Sequence, residues 1–209
     1  MSGLATLLNS DLGRQIVGGI SNQTGASESS TANVLGMALP LLAGAMKKNV
    51  STPQGAQGLL GAINSKHDGS ILNNLGGFFG GGVDQSTIND GAGILGHLLG
   101  GKQSTVENAI SSKSGLDAGT VSQILKIAAP IILGYLGKET KQNNVNDQGG
   151  LNGLLGSMLG GQPQENQSLI ASLIDSDGDG SVLDDVAGMV IGSNKKKGGI
   201  GGLIGGLFK

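Results

Sequence analysis

The chain has 209 residues and a net charge of −2, with 41 Gly, no Cys, 2% aromatic and 13% charged residues. The lack of Cys excludes disulfides and thiolate metal sites, and a charged share about half the usual one leaves no basic footprint for nucleic acid. Disorder normally needs low hydrophobicity with high net charge; hydrophobic residues here reach 37%, so the composition predicts thin cores of Leu, Ile, Val, Ala and Met.

The N-terminal Met1-Ser2-Gly3-Leu4-Ala5-Thr6 lacks the basic region and long apolar core of a signal peptide. The most apolar stretch, Ile124 to Leu136, carries Lys126 and Pro130 and is shorter than a bilayer span. The expectation is a soluble, cytoplasmic protein with no membrane contact.

Val34, Leu35, Ala38, Leu41, Leu42 and Ala45 recur at the i, i+3, i+4, i+7 spacing of one helix face. Ile124, Leu125, Ala128, Ile131, Ile132 and Tyr135 do the same. Ser29-Ser30-Thr31 and Asp117 are candidate N-caps for the two runs. Gly-, Asn- and Gln-rich joints, Gly76 to Gly82 and Lys141 to Gly150, separate the apolar segments. Strand-like alternation is missing, so the fold class is all-α.

The two runs read as copies. A shift of 90 pairs Ile20, Ser21, Gly25, Leu35, Ala38, Pro40, Gly44 and Lys48 with identical residues, eight identities over 29 ungapped positions. Internal duplication is the natural cause. Pro40 and Pro130 each fall inside an apolar helical run, where proline removes a donor and clashes with the preceding turn, so a kink or break is expected at both.

Residues 175–186 read Asp-Ser-Asp-Gly-Asp-Gly-Ser-Val-Leu-Asp-Asp-Val. Carboxylates at loop positions 1, 3 and 5 followed by Gly at 6 open an EF-hand loop. Calcium requires six to eight hard oxygen donors, and alternate side chains in a tight turn converge on one centre. The candidate metal ligands are Asp175, Asp177, Asp179 and the Ser181 carbonyl, with Asp185 or Asp184 closing the site. Val186 replaces the usual bidentate Glu, so the loop resembles shortened dockerin-like loops and its affinity should be modest.

A shift of 111 lays Asn64 to Leu75 on this loop and keeps Asp68-Gly69-Ser70, but Lys66 now stands at the third position. The first loop is therefore read as a faded twin that keeps the turn and binds no metal, since Lys66 puts an ammonium where a carboxylate should bind the cation; the alternative is that Lys66 folds its ammonium toward Asp68 and takes over the role of the ion. His67 is read as an exposed loop residue.

Asn9-Ser10-Asp11-Leu12-Gly13, Ala38 to Met46, Asp90 to Lys102 and Ala129 to Gly134 resemble the bacterial domain-of-unknown-function family number 937, of which the YidB-like proteins are relatives. The resemblance covers roughly residues 1 to 140. It implies an all-helical fold and a bacterial origin, with the acidic loop and Gly-rich tail pointing to a Bacteroidetes-type member, and it implies no activity.

Catalytic motifs fail on inspection. Gly96 to Lys102 opens like a phosphate-binding loop, but Gln103 replaces the required Ser or Thr and no strand precedes it; His97 is read as sitting on a partly apolar helix face. Ser157 stands one place too early for a nucleophile elbow. The expectation is a non-enzymatic calcium-binding helical module: a first repeat with a degenerate loop over 1–83, a second with the calcium loop over 84–192, and a Lys/Gly-rich flexible tail over 193–209. The alternative is a protein that self-associates through its Gly-rich segments, with calcium as a structural staple.

Overall fold

The computed structural model describes residues 3–160, and within them the chain forms nine α-helices and two 3-10 turns, with no strand among the described residues. In chain order these are α1 (Gly3–Asn9), α2 (Asp11–Thr24), α3 (Glu28–Asn49), α4 (Pro53–Ser65), a 3-10 turn (Ser70–Asn74), α5 (Leu75–Gly80), α6 (Gln85–Leu99), a second 3-10 turn (Gly100–Lys102), α7 (Gln103–Ser114), α8 (Ala118–Gln142) and α9 (Gln148–Leu159). The chain divides into two units, residues 1–174 and 175–209; the second lies outside the described residues.

Local chemistry sets the helix ends. Gly25 ends α2 and Gly115 ends α7, both left-handed at φ of 72° and 74°. Two residues later Ser27 caps α3, its Oγ accepting from the Ser30 amide at 3.1 Å, and Asp117 caps α8, accepting from the Thr120 amide at 2.9 Å. Each such cap contributes about 1 kcal/mol. The α3 cap is thus Ser27 and not Ser29-Ser30-Thr31, which lie inside the first turn. The connection is short: the left-handed Gly25 reverses the chain, and two residues later Ser27 has the extended φ/ψ of −65° and 152° that a cap requires.

Pro40 and Pro130 are each the thirteenth residue of their helices, and both helices run through the proline without a break. An interior proline costs about 3 kcal/mol, whereas a fully buried Leu or Ile side chain contributes about 1.5–3 kcal/mol. Leu39, Leu41 and Leu42 around Pro40, and Ile127, Ile131 and Ile132 around Pro130, are all buried, so burial outweighs the proline penalty.

Helices α3 and α8 form the centre. The sequence spacing marks one apolar face on each, but burial extends much further round: from Ile127 to Gly134 every residue of α8 is buried. Helix α8 packs against α2, α3, α4, α6 and α7, and α3 packs against α6, α7 and α9. The core is therefore shared by helices from both sides of residue 83. Some of the Gly76–Gly82 stretch, expected to be a joint, is helical: Leu75–Gly80 is α5, which packs on α2.

By length and composition alone, α3 and α8 are each long and apolar enough to cross a membrane, because α8 extends beyond Ile124–Leu136 at both ends; 67% of each apolar window is buried inside the protein.

Candidate cation loop and its surroundings

The six predicted metal ligands, Asp175, Asp177, Asp179, Ser181, Asp184 and Asp185, lie outside the described residues. Their aligned counterpart, the loop from Asn64 to Leu75, is described throughout. Helix α4 ends at Ser65, Gly69 adopts a left-handed φ of 95°, the 3-10 turn follows, and Asn74 caps α5 by accepting from the Gly77 amide at 3.0 Å. The result is a helix, a sharp reversal and a second short helix.

Asp68, at the fifth loop position, is satisfied from two sides. Its Oδ1 accepts from the Ser70 amide at 3.0 Å. Its Oδ2 accepts from Lys141 Nζ at 2.8 Å. The hydrogen bond from Lys141, then those from Ser70, hold the Asp68 carboxyl well below the usual carboxylate range. A cation thus sits on Asp68, but it comes from α8 and not from Lys66, to which the alternative reading of the loop gave that role. Lys66 is exposed at the C-cap of α4, with a backbone that ends the helix. Lys141 is 73 residues away, so no local pattern announces it.

The loop can reach Lys141 because α8 offers it glycines. A Cβ at Gly137 would collide with the His67 carbonyl oxygen and lie 3.2 Å from the Asp68 carbonyl carbon. Gly69 in turn stands over Lys138, where a Cβ would come 3.0 Å from that residue's Cβ. Backbone meets backbone here, which only residues lacking a side chain permit. The surface between Asp68, Asn73, Lys138 and Lys141 forms a shallow cleft of about 300 Å³.

His67 is in the loop as expected, but it is buried, 7% exposed, where an exposed residue was expected. Its backbone lies against Gly137, and its Nε2 lies 3.3 Å from Asp90 Oδ2 on α6. Burial lowers the imidazole pKa below its ordinary 6.5, outweighing the opposite pull of Asp90, and Lys66 lowers it further. The folded chain therefore favours the neutral imidazole. Because the folded pKa lies below the unfolded one, this group's stability contribution is complete above pH 6.5 and is lost as pH falls from there through the folded pKa. Thermal melts from pH 7.5 to 5 should show a declining Tm in the parent chain and a flatter profile in His67→Gln; identical slopes would exclude His67 as the group responsible.

Helix caps account for the other displaced carboxylates. Asp84 is lowered by its hydrogen bonds from Ser86 and Thr87, and Asp117 by those from Thr120. Among the described residues, no three His, Asp or Glu side chains stand close enough together to hold a metal ion. His97 is exposed near the end of α6, beside Ile94, Leu98 and Leu133.

A family of bacterial proteins of unknown function, DUF937, matches residues 6–139. The chain belongs to that family. The DUF937 match spans α2 to α7 and most of α1 and α8, and so includes the loop from Asn64 to Leu75 and stops short of the acidic loop at 175–186. No curated protein and no solved structure matches the chain.

Proposed function

We propose that this DUF937 protein is a non-enzymatic calcium-binding module, holding one ion through Asp175, Asp177, Asp179 and the Ser181 carbonyl, closed by Asp185 or Asp184. The observation that carries the reading is the state of the aligned loop. There, Asp68 holds a cation, the Lys141 ammonium, and Gly69 takes the left-handed turn; these two residues align with Asp179 and Gly180. The acidic loop keeps that turn sequence and adds carboxylates where the first loop has Asn64, Lys66, Asn73 and Asn74. A turn that already recruits one positive charge, given four more carboxylates, favours a divalent ion with hard oxygen ligands.

The equal caps, equal proline positions and the left-handed glycines at Gly25 and Gly115 support descent of both halves from one helical unit. On this reading the first copy replaced its ion by a lysine from the second.

Native mass spectrometry with and without chelator tests the proposal. One calcium per chain is expected, with Kd on the order of 10⁻⁵ to 10⁻³ M because the bidentate Glu is absent. Asp177→Asn should weaken binding at least about tenfold. Two equivalent ions, or undiminished binding by the variant, would overturn the assignment. A chelator-dependent change in oligomer mass would instead favour self-association with calcium as a staple.

A further inference from the structure

Helices α4 and α6 both pack on α8, and an apolar cleft of about 500 Å³ lies between them. Gly58, Leu59 and Ala62 of α4 form one wall, Ile94 and Leu98 of α6 the other, and Leu133 of α8 lies in the cleft as well. Ala62, Ile94 and Leu98 are only half-buried, and a Cβ added at Gly58 would meet nothing within 4 Å. Among the described residues the lining holds no Asp, Glu, Lys or Arg. An occupant must therefore be apolar and uncharged along the face it buries.

The chain supplies such a segment close by. Gly161 to Ser168 is polar, and Leu169, Ile170, Leu173 and Ile174 then stand at i, i+1, i+4 and i+5, one stripe of a helix, with no charge from Leu169 to Ile174. The shift of 111 that pairs the two loops lays this segment on Gly58–Ile63, so it precedes the acidic loop as the end of α4 precedes the first. The division of the chain after Ile174 also puts it in the same unit as the described helices. The reach is sufficient. The Gln148 side chain donates to the Val50 and Ser51 carbonyl oxygens at 2.9 and 3.0 Å, so α9 begins beside Asn49, which lines the cleft. The 12 residues of α9 carry the chain about 18 Å from there, and the eight residues 161–168 can span about 27 Å back. The other apolar stretch, Ile200 to Phe208, follows three lysines on a much longer tether, which lowers its effective concentration at the cleft. We propose that Leu169–Ile174 docks in the cleft between α4 and α6, its apolar stripe covering Leu59, Ile94, Leu98 and Leu133. This contact does not rest on the calcium reading.

Cross-linking of the full chain tests it, in chelator so that calcium plays no part. The chain has no Cys, so a pair introduced on the surface reports one distance. Gly61→Cys, at an exposed site on α4 where a Cβ meets nothing within 4 Å, is combined with Ser172→Cys and treated with a short bis-maleimide. The control pairs Ser172→Cys with Ser29→Cys, exposed near the start of α3 and about 30 Å along that helix from Asn49. Docking should link the first pair within one chain at least about tenfold faster than the control, the gain of a held over a merely tethered segment. Adding Leu169→Ser and Leu173→Ser should remove that advantage. Equal rates in the two pairs, or an advantage that survives the serine substitutions, overturns the proposal. Links that form between chains also overturn it and assign the cleft to a second copy.

Discussion

Gly91→Ala is expected to destabilise the protein by about 2 kcal/mol or more, while Gly93→Ala and Gly96→Ala on the same helix should stabilise it by up to about 1 kcal/mol each. All three substitutions add one methyl group to α6 and improve its helix propensity. They differ only in what the methyl meets. At Gly91 it would run into the Lys126 carbonyl oxygen and lie 3.1 Å from Lys126 Cα, whereas at Gly93 and Gly96 it would meet nothing within 4 Å. The obstacle is backbone of α8, which cannot rotate away as a side chain could, so α6 must lift off its main packing partner. With roughly 2–4 °C for each kcal/mol in a chain of this size, Gly91→Ala should lower Tm by about 5 °C or more. The measurement is a set of three thermal or denaturant melts. Equal effects at the three positions would mean that α6 and α8 do not cross at Gly91.

Calcium binding at the first loop is expected to be strongest only after two changes made together. Asn64→Asp, Lys66→Asp, Asn73→Asp and Asn74→Asp restore the carboxylates of the acidic loop, and Asn74→Asp keeps the cap on the Gly77 amide. Those four leave the Lys141 ammonium on Asp68. Like charges about 4 Å apart repel by about 4 kcal/mol for each unit of charge on the ion at an effective dielectric of 20. Lys141 is 55% exposed and can swing partly aside, which reduces the penalty. The four-fold variant should therefore bind calcium at least about tenfold more weakly than the same variant with Lys141→Gln. Calorimetry on both decides it. Equal affinity would remove Lys141 from the role of resident cation, and no binding in either would mean that the loop never descended from a calcium site.

Much of the fold follows from sequence alone, because helix periodicity and capping are local. Apolar spacing along α3 and α8 marks both helices, Asp117 caps where its side chain dictates, and the 90-residue offset places Pro40 and Pro130 at the same point of each helix. Local patterns also misled where competing signals lay close together. Three consecutive hydroxyl residues at 29–31 drew the α3 cap away from Ser27, and the glycines of 76–80 concealed the short helix α5, whose Phe79 ring abuts Gly19 of α2.

What the sequence determined by itself was therefore the helical class, the turn at Asp68-Gly69-Ser70 and the membership that its motifs resemble. Tertiary structure alone decided what surrounds that turn. Asp90 and Lys141 reach the loop from α6 and α8, and burial of His67 depends on Gly137 admitting the loop's backbone. Sequence spacing reports which side chains share a face of one helix, since that is set by 3.6 residues per turn. It does not report which helix faces which, because that depends on where backbones can approach, and the approach is set by glycines whose role appears only when two distant segments meet.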